Sequence, residues 1–218
     1  MPREHYDLQL RELQDELMRL ASQVEAMVGR SVAALKTQDV DEARRIIAED
    51  DEIDRAQYTL EDRALHLIAR QAPIAADLRL ISAVISIANE LERIGDYAEG
   101  IAKIVLRGAH EPLLKPLIDI PRMAETSQRM LRDALSAFAQ RDAEAARLLK
   151  DVDDEVDKLT TVIQNDLLKI MLEQPGSSER ALHLMFVAHN LERVADRATN
   201  IAERLIFLVT GEVVDLNG

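Results

Sequence analysis

From Leu8 to Leu35 the apolar residues recur at helical spacing, through Leu10, Leu13, Leu17, Leu20, Val24, Met27, Val28 and Val32. A stripe repeating every three or four positions is what one face of a 3.6-residue helix presents to a core, so the spacing predicts a first long helix. The stripe breaks at Thr37-Gln-Asp39, where Asp39 stands three residues before Glu42 in the manner of a capping box. A second helix is expected from there to about Arg70. Gln71-Ala-Pro73 interrupts it, with Pro73 acceptable in the first turn of a third helix reaching about Leu106.

The segment Arg107 to Pro116 holds one glycine and two prolines and reads as a connection. The pattern then restarts. A fourth helix is expected from about Asp119 to Ala139 with Pro121 in its first turn, and a fifth from Asp142, the counterpart of Asp39, to about Glu173. Gln174 to Ser178 is a second hairpin turn, a sixth helix follows from Ser178 to Val209, and Gly211 to Gly218 is expected to fray. No window alternates with period two, so no sheet is predicted. The fold class is all-α: two tandem three-helix bundles related by internal duplication, residues 1–110 and 111–218, with short turns between antiparallel neighbours.

The duplication is visible residue by residue. Asn89-Glu-Leu-Glu-Arg-Ile-Gly-Asp-Tyr-Ala returns one hundred residues later as His189-Asn-Leu-Glu-Arg-Val-Ala-Asp-Arg-Ala. Both copies keep packing positions, Leu91 and Leu191, and both keep two acids four apart, Glu92 with Asp96 and Glu192 with Asp196. Like charges at that spacing share a helical face and cost about 0.2–0.5 kcal/mol per pair. Keeping the arrangement twice points to a compensating cation.

A second acidic pair lies upstream in each half, Asp50 with Asp54 and Asp153 with Asp157, again four apart. Folding the chain back at Ala72 sets Asp54 opposite Glu90 and Asp50 opposite Ile94, level with Glu92 and Asp96. Folding at Pro175 sets Asp157 opposite Arg193 and Asp153 opposite Arg197, level with Glu192 and Asp196. Asn89 and His189, three residues before Glu92 and Glu192, add a carbonyl and an imidazole to the same faces. The candidate metal ligands are therefore Asp50, Asp54, Asn89, Glu92 and Asp96 in one half and Asp153, Asp157, His189, Glu192 and Asp196 in the other. This mostly oxygen set suits Fe, Mn, Mg or Zn, and the chain has no cysteine, which excludes thiolate sites and disulfides. The bland reading is a solvated acidic face.

Composition narrows the function. Nearly half the residues are apolar but only 3% are aromatic, which suits a helical core of Leu, Ile, Val, Ala and Met. A net charge of −13 argues against direct nucleic-acid binding, which needs a basic face. The N-terminus lacks an apolar signal core and no run is long enough to span a bilayer, so a cytoplasmic protein is expected. No phosphate-cradling glycine loop, HExxH or nucleophile elbow is present, and no catalytic set emerges. Arg93 and Arg193 read as counter-charges to the neighbouring acids, Met123, Met130, Met171 and Met185 as core filling, and His5, His66, His110 and His183 as ordinary surface residues. Gly95 and Gly100, costly within a helix by about 1 kcal/mol each, imply close helix approach or room for a ligand.

The two repeated stretches resemble the PhoU phosphate-signalling regulators, and the resemblance extends along nearly the whole chain through length, helix number and tandem repeat. It implies that the ExxxD motifs, here Glu92 with Asp96 and Glu192 with Asp196, supply ligands to surface metal sites, with Asp50, Asp54, Asp153 and Asp157 upstream. It also implies a cytoplasmic adaptor rather than an enzyme. Such an adaptor is a negative regulator of phosphate uptake and of the phosphate-starvation response, working between the ATPase subunit of a phosphate ABC transporter and a sensor histidine kinase. A homodimer is expected, with membrane association only through partners. The alternative is a ferritin-like di-metal carboxylate oxidoreductase, since helical carboxylate pairs also build di-iron sites.

Overall fold

The structure, a computed structural model, describes residues 3–217. Helices α1 (Arg3–Thr37), α2 (Val40–Gln71) and α3 (Ala75–Gly108) form one three-helix bundle. Helices α4 (Asp119–Gln140), α5 (Ala143–Arg147), α6 (Leu149–Glu173) and α7 (Ser178–Thr210) form the second, with a single 3₁₀ turn, Pro175–Ser177, closing the α6–α7 hairpin. No strand occurs among the described residues. The all-α tandem architecture expected from the apolar stripes is the one observed.

Local chemistry sets the boundaries. Asp39 caps α2 by accepting the Glu42 backbone N–H at 2.9 Å, and Asp142 caps α5 by accepting from Glu144 and Ala145. Only half of the predicted capping box forms, because the Glu42 carboxylate turns to Arg30 and Arg45. The residue before each cap, Gln38 or Arg141, adopts a left-handed backbone with φ of 53° or 55°. The duplication therefore preserves a turn conformation as well as a sequence.

Three expectations change. Pro73 lies outside α3, which starts at Ala75 after an extended Ile74. The predicted fifth helix is interrupted at Leu148, dividing it into α5 and α6. The C-terminal segment does not fray as far as Asn217: Leu216 is buried, its N–H donates to Glu203 Oε1 at 2.8 Å, and Asn217 bonds to Asn200 and Thr199. Its single leucine and paired amide, too short for a periodic signal, dock it onto α7.

One hydrophobic core runs through both bundles. Its spine is α3 packed against α7, each also covered by the other helices of its own half, and both helices are lined by fully buried Ile, Val, Leu and Ala. Met123 and Met130 are buried in this core, and Met171 and Met185 pack on its edge. The spine is antiparallel. Glu90 meets Arg197 and Asn200, Tyr97 meets Arg193, and a methyl at Gly100 would sit 2.8 Å from Asn190 Nδ2. The two copies thus cross head to tail near Gly95 and Ala195. At Gly100 the space beside α3 is taken by the Asn190 side chain of α7.

Candidate metal centres

In the first half the α2–α3 hairpin brings Asp50 and Asp54 to Glu92 and Asp96, within one residue of the register expected from the turn. Gly95 stands at the contact: a methyl there would lie 3.3 Å from both Asp50 Oδ1 and Ile53 Cγ2, a tight fit that would shift them slightly, and the second half carries Ala195 at the equivalent position. Carboxylate oxygens of Asp50, Asp96 and Glu99 all lie within 4.8 Å of one another. Asp50 Oδ1 is fully buried and has no hydrogen-bond partner.

The electrostatics follow from that crowding. Burial, and then the charges of Glu99, Asp96 and Asp54, push the Asp50 carboxyl up to about 7, with Lys103 acting in the opposite direction. Burial also raises Glu92 and Asp96, reinforced in each case by Asp54. Asn89 is placed differently from its acidic neighbours: its Oδ1 accepts from Gln57 Nε2 at 2.7 Å, which fixes the amide against α2.

In the second half the corresponding acids face each other between α6 and α7, but among the described residues no three of them come within 4.8 Å of one another. Asp153 is 8% exposed, and burial followed by the charges of Asp157, Asp196, Asp154 and Glu192 pushes its carboxyl up to about 7. Burial raises Asp196 too, against the attraction of Arg193 and Arg197. Glu192 Oε2 lies 3.3 Å from His189 Nδ1, so the imidazole does stand beside the acids. Arg193 Nη1 donates to Asp196 Oδ2 at 3.2 Å and its Nε to Tyr97 Oη at 3.4 Å. The counter-charge role expected of Arg193 is real, and the same side chain also bridges to α3.

Glu99 and Lys103 were not among the predicted residues. Their signal was present as a face rather than a motif, since Glu92, Asp96, Glu99 and Lys103 follow one another at helical steps of four, three and four. The duplication concealed it, because the equivalents of Glu99 and Lys103 are Thr199 and Glu203.

Chemically, the first half offers a group of hard oxygen donors held together against their own repulsion, with a buried acceptor left unanswered, while the acids of the second half lie near enough to raise Asp153 without three of them closing to 4.8 Å. An orphaned carboxylate oxygen costs about 1–3 kcal/mol or more, and a multivalent cation removes that cost. The donors come from two helices of a three-helix bundle, and several are partly open to solvent. A ferritin-like centre instead gathers its ligands inside a closed four-helix core.

Fold and clusters define a tandem-repeat helical protein with one acidic centre in each half. The family model described as "PhoU domain" matches it twice, over residues 17–105 and 120–205. The chain belongs to the PhoU family. It is 38% identical to a phosphate-specific transport system accessory protein PhoU homolog of Clostridium acetobutylicum, over the full length of both chains. A homolog of the same description from Aquifex aeolicus is also 38% identical, over 94% of this chain and 93% of its own. Among solved structures, PhoU from Pseudomonas aeruginosa matches with a TM-score of 0.91 at 30% identity, covering 95% of this chain and all of that one. The phosphate transport system regulatory protein PhoU from Streptococcus pneumoniae matches at 0.89 and 31%, covering 96% and 99%.

Proposed function

We propose that this protein is a negative regulator of phosphate uptake and of the phosphate-starvation response, acting as an adaptor between the ATPase subunit of a phosphate ABC transporter and a sensor histidine kinase. The observation that carries this reading is the family match in both halves, together with relatives whose names place them as accessories of phosphate-specific transport. No helix among the described residues is long and apolar enough to cross a membrane, so membrane association runs through the transporter. The working protein is a cytoplasmic homodimer, each chain built of units 1–110 and 111–218. Its role is one of contact rather than catalysis.

Each acidic cluster is a metal site in this reading. Asp50, Asp54, Glu92, Asp96 and Asn89 serve the first, and Asp153, Asp157, Glu192, Asp196 and His189 the second, for Fe, Zn, Mn or Mg. A bound ion supplies the positive charge that the clusters lack and holds each hairpin in one register. The orphaned Asp50 Oδ1 supports the reading most directly.

Two experiments test it. Deleting the gene is expected to raise phosphate uptake and starvation-gene expression in phosphate-rich medium, and unchanged expression would sink the regulatory role. Metal analysis of protein purified without chelator, with calorimetry using Mn, Fe, Zn and Mg, is expected to show binding; silence with all four sinks the metal role. Oxygen consumption by iron-loaded protein would favour the oxidoreductase alternative.

A further inference from the structure

The two acidic clusters carry different resident cations. In the second, Arg193 and Arg197 face the acids, and each is anchored across the spine, Arg193 to Tyr97 and Arg197 to Glu90. In the first, Arg93 acts on Glu92 and Asp96 as Arg193 acts on Asp196, and a second cation is added, Lys103, whose Nζ pairs with Glu99 Oε2 at 2.5 Å. Glu99 is the same carboxylate that meets Asp50 and Asp96. The lysine side chain is 49% exposed, against 16% for its partner, and its charge acts on Asp50 and Asp96 as well. A single ammonium on a flexible stem is a point charge with three donors. Held at Glu99, it leaves the buried Asp50 Oδ1 without a partner.

We propose that Lys103 is a tethered stand-in for the metal ion of the first cluster, and that Glu99 is the carboxylate for which the lysine and the metal compete. This rests on the reading of that cluster as a metal site. When a divalent ion enters, Glu99 turns from Lys103 to the ion, the ion answers Asp50 and Asp96, and the lysine is released to the outer face of α3. The second cluster does not carry this pair at the equivalent positions. Its equivalent of Lys103 is Glu203, which accepts the Leu216 N–H, and its equivalent of Glu99 is Thr199, which is bonded to Asn217. Occupancy of the first site therefore alters the charge displayed beside it, while the arginines of the second stay anchored to α3.

The test uses full-length protein with the second cluster disabled by Asp153→Asn and Asp196→Asn, titrated calorimetrically with Mn. Lys103→Met is expected to tighten Mn binding about tenfold and Glu99→Gln to weaken it about tenfold, each equivalent to about 1.4 kcal/mol. Mn is also expected to speed acetylation of Lys103 by a lysine-directed reagent in the otherwise native chain. Lys103→Gln serves as a second neutral variant, and circular dichroism checks that each variant is folded. Mn binding to the parent with affinity unchanged or weakened in both lysine variants overturns the competition and leaves the metal reading standing. No Mn binding by the parent or either lysine variant overturns both together.

Discussion

Arg197 Nη1 donates to Glu90 Oε2 at 3.1 Å, joining α7 to α3 through two side chains that are only 11% and 18% exposed. The same Glu90 oxygen accepts from Asn200, while Arg197 Nε is buried without a partner. Removing the acid alone strands a buried guanidinium. Glu90→Leu is expected to lower stability by about 1–3 kcal/mol in urea denaturation. Adding Arg197→Leu should recover part of the loss, because the stranded charge is then gone.

Stability of the metal-free protein should depend on pH through Asp50 and Asp153. Both carboxyls are pushed up to about 7, above the usual aspartate value near 3.8. Between those limits the folded state holds more protons than the unfolded state, so these groups destabilise the fold as pH rises and have their full effect above about pH 7. Asp50→Asn and Asp153→Asn are expected to be more stable than the parent at pH 8 in EDTA and nearly equal to it at pH 4. Urea midpoints at the two pH values measure this, and a parent as stable as the variants at pH 8 contradicts it.

Metal should reverse that penalty. An ion that binds only the folded chain adds about 2.7 kcal/mol at a hundredfold excess over its Kd. Thermal melts with Mn or Zn are expected to shift upward and to return on chelation, with a smaller shift in the double variant Asp50→Asn, Asp153→Asn.

The caps give a prediction independent of metal. Asp39→Ala and Asp142→Ala each leave helix-end N–H groups without their side-chain acceptor, and each should cost about 0.5–2 kcal/mol. Chemical denaturation measures both.

The docked C-terminal segment gives another. Leu216→Ala removes three buried carbons, at about 0.8 kcal/mol for each methylene. A loss near 2 kcal/mol is expected, with faster amide exchange at Leu216. A freely fraying end would show neither.

The helices were legible because long amphipathic stripes and two aspartate caps are local signals. The meeting of Asp50 with Asp96 was legible as well, since a short turn between straight helices fixes register by counting. Glu99 was not legible from what the two halves share, because Thr199 stands at the equivalent position. Nor was Lys103, whose equivalent is Glu203. The docking of Leu216 depends on Glu203 in α7, which no local pattern reports, and nothing in the structure explains the break at Leu148. The anchoring of Arg193 on Tyr97 was equally out of reach, because it requires knowing how α7 lies on α3.

Because α3 and α7 run antiparallel about a crossing near Gly95 and Ala195, a residue away from the crossing faces not its own counterpart but a position displaced along the other copy. Glu90 faces residues 197 and 200 rather than 190, and Tyr97 faces residue 193 rather than 197. Each such contact therefore joins non-equivalent positions, and the two sides of the seam need not match. The copies now differ at 90 and 190, at 97 and 197, and at 100 and 200, yet agree at 92 and 192 and at 96 and 196. The seam is thus asymmetric at Glu90, Tyr97 and Gly100, while the acid pairs stand at equivalent positions in both halves.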